Sequence, residues 1–590
     1  MRDIKSVKVN IIIFTLFFLF LLSSYLLISS NYNYVNGDAG AFAKHARVLY
    51  ETNTFDITGS AASSLGMLIF SNILSHIFGF SLKTLHWSVY CVGLLNFIAM
   101  YLLLKELDVK SFLAFWGSLT LLINPISLIL IDWYLTESFF LFYIIISLYF
   151  FLKGFKSDRI LFLYCGGFFA VLAILTRQHA ISLSIALFIL CLIYRKKLTK
   201  KFLIHSIFSL SLPIIAIILF YLHAFMQYRA SNSTIQYAYA SSNVQMIKEL
   251  INPLILLSRI FFGSITFFHY SVLYLAPLFI MIFISILKRP NKIKELFSNY
   301  IILDISLLLI GLGTLILFFK DKKLMPYRPN IFTINALTSI FSLKIVDKNT
   351  AAIILTILTS IGALLIIIRI LDHFYYHSYC FSFLRSKTSY AINRNNNNSP
   401  ISEDKKNIAK DLLYLWGIIY ILVAIFIGLR YDRYIFPLSI MSIFLILDYF
   451  PWLMDNKKTF ILVYFLIYSI FMFRIINIRL GNDLSAHAAD YLINKGIQRS
   501  NINGGLGFNH YHNYDYIINL YKDVKVKYPI NWVKFHPMAH YFIRSNKDLD
   551  KKHPGLILLK SFTRKRFFGL IDKTIYIYKR KDNYKKFIML

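Results

Sequence analysis

Runs of about twenty apolar residues, separated by short polar or basic breaks, fill most of the sequence from residue 9 to residue 475. About 20 such residues let a helix cross the hydrocarbon core. The pattern predicts spans near 9–30, 84–104, 111–130, 137–153, 160–176 and 179–194. A second series follows at 202–222, 269–288, 298–319, 350–370, 412–428, 433–450 and 459–475. The predicted fold class is an all-α polytopic membrane protein of about thirteen transmembrane helices. Beyond 475 the apolar stretches shorten to Gly555–Leu559 and Thr574–Tyr578, beside a helical stretch at Ser485–Lys495, which predicts a small C-terminal α/β domain.

The breaks between spans orient the chain, because short loops rich in Lys and Arg stay cytoplasmic. Alternate breaks carry Lys105 and Lys110; Lys153, Lys156 and Arg159; Arg195, Lys196 and Lys197; Lys288, Arg289, Lys292 and Lys294; the polar stretch 371–411; and Lys457 and Lys458. All fall on the side of the N-terminus, so the N-terminus is expected in the cytoplasm and the tail outside. The domains expected are a transmembrane region, 1–475, and an extracytoplasmic basic α/β accessory domain, 476–590. The first includes an extracytoplasmic loop, 31–83, and a cytoplasmic linker, 371–411. Within that first loop, Ala39–Tyr50 reads as an amphipathic helix and Leu65–Phe80 as an interfacial or re-entrant segment. Arg2, Lys5 and Lys8 precede an apolar run too long for a signal sequence, so the first span is expected to stay uncleaved.

Composition agrees with the pattern: 57% of residues are hydrophobic and 16% charged, against roughly a quarter charged in soluble domains. A formal charge of +34 would suggest nucleic acid in a soluble protein. Here the basic residues flank apolar spans, where anionic lipid head groups supply the counter-charge, so membrane lipids and no nucleic acid are the partners expected. The four cysteines, Cys91, Cys165, Cys191 and Cys380, offer neither a disulfide framework nor a zinc-ligand spacing.

Few ionisable residues fall at the outer ends of the spans. Asp38, in Asn36-Gly37-Asp38-Ala39-Gly40, follows the first span and has two readings. It is an N-cap for the helix behind it, or a general base at the membrane surface, with Lys44, His45 and Arg47 about two turns along to meet an anion. Glu137, with Asp132 and Thr136 just before it, opens the fourth span. It sits there as a dipole-favoured carboxylate, or as a functional group at a depth where charge is costly. Arg177, in Leu175-Thr176-Arg177-Gln178, and Arg430 and Arg433, in Leu429-Arg430-Tyr431-Asp432-Arg433-Tyr434, place cations on the outer face against the positive-inside pattern. Arginine at helix ends snorkels to head groups, but its planar fork also suits phosphate oxygens.

In their order, these segments resemble the membrane-embedded glycosyltransferases of the GT-C fold, in particular the protein O-mannosyltransferase and lipid A aminoarabinose-transferase branch (families 39 and 83). The stretches involved are Gly37-Asp38-Ala39-Gly40-Ala41-Phe42-Ala43-Lys44-His45-Ala46, Ile77-Phe78-Gly79-Phe80, Tyr134-Leu135-Thr136-Glu137-Ser138, Leu175-Thr176-Arg177-Gln178 and Arg433-Tyr434-Ile435-Phe436-Pro437. Relatives often carry Asp-Glu where this chain has Asp38-Ala39, which leaves Asp38 as the one evident loop base. The resemblance implies inverting transfer of a sugar from a polyprenyl-phosphate donor at the extracytoplasmic face of a bacterial plasma membrane. The acceptor expected is a glycan, a lipid or a protein.

Such chemistry is consistent with one base. Phosphate leaves without a proton, so the two carboxylates of a glycosidase are not needed. Asp38 would take the acceptor's proton, with Arg430, Arg433, Arg177 and Lys44 at the donor phosphate, and Glu137 and Asp132 as supporting acids. No cofactor is required on this reading and no metal site is assigned, although a divalent metal is compatible with it. Two other readings stay open: a lipid-linked glycan flippase or transporter, and an O-antigen-type glycan polymerase.

Overall fold

A computed structural model describes residues 39–55, 64–231, 252–288, 306–307, 309–315, 348–372, 400–426, 432–450, 457–513, 539–545, 547, 549–553, 555–566 and 571–581. The predicted first span, 9–30, and Asp38 and Arg430 lie outside the described residues. The chain is a polytopic helical membrane protein. Among the described residues, six helices are long and apolar enough to cross a membrane: those at Leu82–Glu106, Thr136–Ser157, Lys200–His223, Pro253–Tyr274, Ala352–Leu371 and Asn407–Ile425. Shorter apolar helices pack among them. Large apolar side chains such as Phe168, Phe208, Leu219 and Phe465 stand exposed on the outside, the arrangement expected where the solvent is lipid.

The membrane region opens with α1 (Ala39–Thr52) and α2 (Leu65–Phe78), then α3 (Leu82–Glu106). Ser81 caps α3 by accepting from the Thr84 N–H at 3.0 Å. α4 (Ser111–Ile123) and α5 (Pro125–Asp132) follow. The sequence pattern predicts one span over 111–130. The structure breaks it at Asn124, whose side chain caps the Ile126 N–H at 2.8 Å while Pro125 starts the new helix. α6 (Thr136–Ser157) and α7 (Ile160–Ile174) lead through a 3-10 turn, Gln178–Ala180, into α8 (Ile181–Tyr194) and α9 (Lys200–Ser231). α6 sits at the centre, packed against α3, α7 and further helices, and 15 of its residues are buried.

The second half differs from the pattern in three places. α10 (Pro253–Tyr274) and α11 (Ala276–Lys288) occupy a region predicted as loop 223–268 followed by span 269–288. Asn252 caps α10 by accepting from the Leu254 and Ile255 N–H groups, with Pro253 at its first position, and Arg259 does not interrupt it. After α12 (Lys348–Asp372), α13 (Pro400–Phe426) begins at Pro400, so the last part of the predicted linker 371–411 is helical. α14 (Ser439–Tyr449) starts later than the predicted span 433–450, because the 3-10 turns Asp432–Tyr434 and Phe436–Leu438, with Pro437, come first.

α15 (Lys457–Asn494) is one helix of 38 residues, about 57 Å at 1.5 Å per residue. It joins the last predicted span to the tail, and the helical stretch Ser485–Lys495 is its upper end. The tail adds β1 (Ile502–Asn503), α16 (Leu506–His512), β2 (Tyr541–Arg544), α17 (Leu549–Lys552), β3 (Leu556–Arg566) and β4 (Ile571–Arg580). These strands form one sheet in the order β1-β2-β4-β3, with β1 parallel to β2 and both other pairings antiparallel. Leu480, Leu484, Ala488 and Leu492 of α15 pack against Ile502, Ile543, Ile575 and Ile577 of the sheet. The same helix thus crosses into the tail and supplies one side of this cluster, while Ala539, Phe542, Leu549, Leu556 and Tyr578 form a second one without it.

Candidate functional site

The candidate site is built where the ends of α6, α7 and α14 meet. The backbone after α7 closes tightly: the Leu175, Thr176 and Arg177 N–H groups bond back to Val171 O and Ala173 O, and the Thr176 hydroxyl donates to Leu172 O at 2.7 Å. Arg177 itself is extended, so its side chain leaves the helix axis. The start of α2 rests on this turn. Its Ser64 and Gly66 N–H groups, which lack partners inside their own helix, donate to Thr176 O and Leu175 O at 3.3 Å each. Tyr143 of α6 donates to Gly66 O at 3.0 Å and pins the same point from the other side.

Only glycine fits at position 66. An added Cβ would collide with the Thr176 hydroxyl and stand 2.5 Å from Leu172 O, a backbone atom. Gly66→Ala is expected to lower stability by about 1–3 kcal/mol. The check is thermal unfolding of the purified protein beside Gly481→Ala, where a Cβ meets nothing within 4 Å. Equal melting temperatures for wild type and Gly66→Ala would contradict the close approach.

Three of the sequence-predicted residues converge here. Arg177 Nη2 lies 2.6 Å from Glu137 Oε1, its Nε donates to the Thr136 hydroxyl at 2.7 Å, and Glu137 is only 4% exposed. Arg433, brought in by the 3-10 turn before α14, places Nε 3.0 Å from the same Glu137 oxygen as an ion pair. Glu137 therefore bridges two guanidinium groups from opposite halves of the chain. With both arginines and the one carboxylate charged, the cluster carries a net charge of +1. The Tyr434 ring lies beneath both cations, 4.9 Å from Arg177 Cζ and 5.9 Å from Arg433 Cζ. His179 flanks that ring at 5.4 Å, and Tyr420 of α13 donates to Tyr434 O at 2.9 Å.

The other predicted residues are distributed differently. Lys44 is buried on α1, the helix that follows Asp38 in sequence. Asp132 closes α5, and its side chain lies outside the described set. Thr136, Tyr434, Tyr420 and Gly66 are the contributors that sequence reasoning gave no part in the site. Tyr434 had one signal, its adjacency to Arg433, since a cation and an aromatic side by side often share a pocket wall. The opposite end of the bundle holds its own polar ties: Lys410 to Asp448 at 2.7 Å and Tyr194 to Asp411 at 2.7 Å. Among the described residues no three of His, Cys, Asp and Glu gather as a metal-ligand group.

The tail reaches the same loop. α1 packs between α2 and α16, and the Arg47 guanidinium lies 5.0 Å over the Tyr511 ring. Burial pushes the Tyr511 hydroxyl pKa up, with Arg47 opposing it. Burial, aided by Arg499 and Arg47, holds the neighbouring His512 down at about 4, so it is neutral at pH 7. The helix behind Asp38 is thus held by α16 of the tail.

No protein-family model and no curated protein matches the chain. Among solved structures, the chain is similar to ArnT from Cupriavidus metallidurans in the apo state, at 11% identity and a TM-score of 0.41, over 95% of this chain and 97% of that one. It is also similar to ArnT from the same organism bound to undecaprenyl phosphate, at 12% identity and a TM-score of 0.39, with the same coverage.

Proposed function

We propose that the protein is an inverting glycosyltransferase that moves a sugar from a polyprenyl-phosphate donor to an acceptor at the extracytoplasmic face of a bacterial plasma membrane. The observation that carries this reading is the buried Arg177–Glu137–Arg433 cluster, two guanidinium groups on one carboxylate. Its net charge of +1 complements a phosphodiester monoanion, and Arg forks suit phosphate oxygens. On this reading about thirteen spans place the N-terminus in the cytoplasm and residues 476–590 outside.

Asp38 takes the proton of the acceptor hydroxyl or amine as that atom bonds to C1 of the sugar. The C1–O bond to phosphate breaks on the opposite face, and its electron pair leaves with the polyprenyl phosphate. Arg433 and Arg177, with Arg430 and Lys44, offset the charge developing on the leaving phosphate. Glu137 sets the positions of the two arginines, and Asp132 is the second supporting acid on this reading. No step calls for a cofactor.

The test is transfer of radiolabelled sugar from a polyprenyl-phosphate donor by the purified protein, with candidate glycan, lipid and protein acceptors. Label should move to one acceptor class, and Arg433→Ala should raise donor KM or lower kcat by about 10–100-fold while leaving acceptor KM within about two-fold. Label moving from no monophosphate-linked donor would overturn the proposal. Transfer from a diphosphate-linked donor alone would point to a glycan polymerase instead.

A further inference from the structure

The β3–β4 hairpin is a basic arm whose end points back at the membrane, and its direction follows from topology. α15 leaves the bundle and rises into the tail; β1 comes next, and the chain then enters α16, which packs on α1 at the bundle surface. β1 therefore runs toward the membrane. β2 is parallel to β1, β4 antiparallel to β2, and β3 antiparallel to β4, so β3 also runs toward the membrane.

Side-chain contacts along α15 give the same direction. Lys560 Nζ lies 4.1 Å over the Tyr491 ring, and two residues further on Phe562 meets His487, one helical turn lower, at 5.0 Å. From His487 down to Ile475, where the apolar run of α15 ends, is 12 residues, or about 18 Å. From Phe562 to Arg566, the last residue of β3, is four residues, or about 13 Å. The end of the hairpin thus descends to within a few ångströms of the level at which α15 enters the bilayer.

The charge at that end is one-sided in the sequence. Arg564 stands directly opposite Lys573 in the ladder, a like-charge pair that an isolated hairpin disfavours. The last strand pairs contain Arg564, Lys565, Arg566 and Lys573 against Asp572 alone, a net charge of +3. Arg564 is exposed. We infer that the β3–β4 hairpin is a membrane-surface arm, with Arg564 and Lys573 meeting the phosphates of anionic phospholipid head groups in the leaflet beneath the C-terminal domain. The arm fixes the height and tilt of the domain, and through α16 it steadies α1.

The experiment uses the full chain with its native cysteines replaced by serine and one environment-sensitive fluorophore on Cys at Thr563, near the arm's end, or at Gln498, at the far end. Both positions are exposed. The protein is reconstituted in phosphatidylcholine vesicles with or without phosphatidylglycerol, each containing a head-group spin-labelled lipid. With phosphatidylglycerol, quenching at Thr563 should exceed that at Gln498 by about two-fold or more, and the excess should vanish without the anionic lipid or in Arg564→Gln/Lys573→Gln. Equal quenching at the two positions would overturn the arm's placement. An excess unchanged by removing phosphatidylglycerol, or by the double substitution, would overturn the head-group assignment.

Discussion

Asp38→Asn is expected to lower sugar transfer by about 10²–10⁴-fold while leaving the protein folded, because it removes a base and keeps a cap. Asp38 immediately precedes α1 in the sequence, so its side chain suits both the structural and the catalytic reading. Asparagine separates the two: it caps a helix about as well as aspartate, but its amide takes no proton. Asp38→Ala loses both functions and is expected to cost a further 0.5–2 kcal/mol, roughly, in stability. Initial rates at saturating donor and acceptor, with thermal unfolding on the same samples, provide the check. An Asn variant that transfers as fast as wild type would reduce Asp38 to a cap and move the search for the base elsewhere.

Much of the membrane architecture was legible in the sequence, since apolar runs of spanning length have one economical structure in lipid. The pattern at 84–104 became α3 at Leu82–Glu106, and 137–153 became α6 at Thr136–Ser157. The differences arise where a polar side chain acts on backbone rather than on burial. Asn124 breaks an apolar run by capping, and Asn252 starts α10 inside a stretch that the apolar pattern predicts as loop 223–268. The length of α15 was hidden for a related reason: its apolar period is membrane-facing below and sheet-facing above, with Arg474 and Arg479 at the transition.

The candidate site was legible residue by residue but not as a cluster. Glu137, Arg177 and Arg433 each stood out as charges at the outer ends of apolar spans, where the environment makes charge costly. Nothing in their spacing said that one carboxylate oxygen would bridge both guanidinium groups, because Glu137 and Arg433 are separated by half of the chain. The role of Gly66 was equally invisible, since it depends on how closely α2 approaches the carbonyls of the Arg177 turn. The tail's part in holding α1 is a third such case: Arg47 and Tyr511 meet only once sheet, α16 and first loop are assembled.

The bridging position of Glu137 makes its removal the most damaging single change to the cluster. Glu137→Gln leaves Arg177, only 6% exposed, facing Arg433 with no carboxylate between them. Breaking a buried pair in this way costs about 3–5 kcal/mol, because a desolvated cation loses its counter-ion. Arg177→Met in the same background removes one of the two cations that Glu137 separates, so the double variant should recover part of that loss instead of adding to it. The substitution also raises the cluster from +1 to +2, which strengthens its attraction for an anion. If this cluster receives the donor phosphate, polyprenyl phosphate should raise the melting temperature of Glu137→Gln by more than it raises that of wild type, since the ligand restores the missing negative charge. Thermal unfolding with and without the lipid phosphate measures both effects. Equal protection of the two proteins would place the phosphate elsewhere, and leave Arg177, Glu137 and Arg433 as a clasp holding α6, α7 and α14 together.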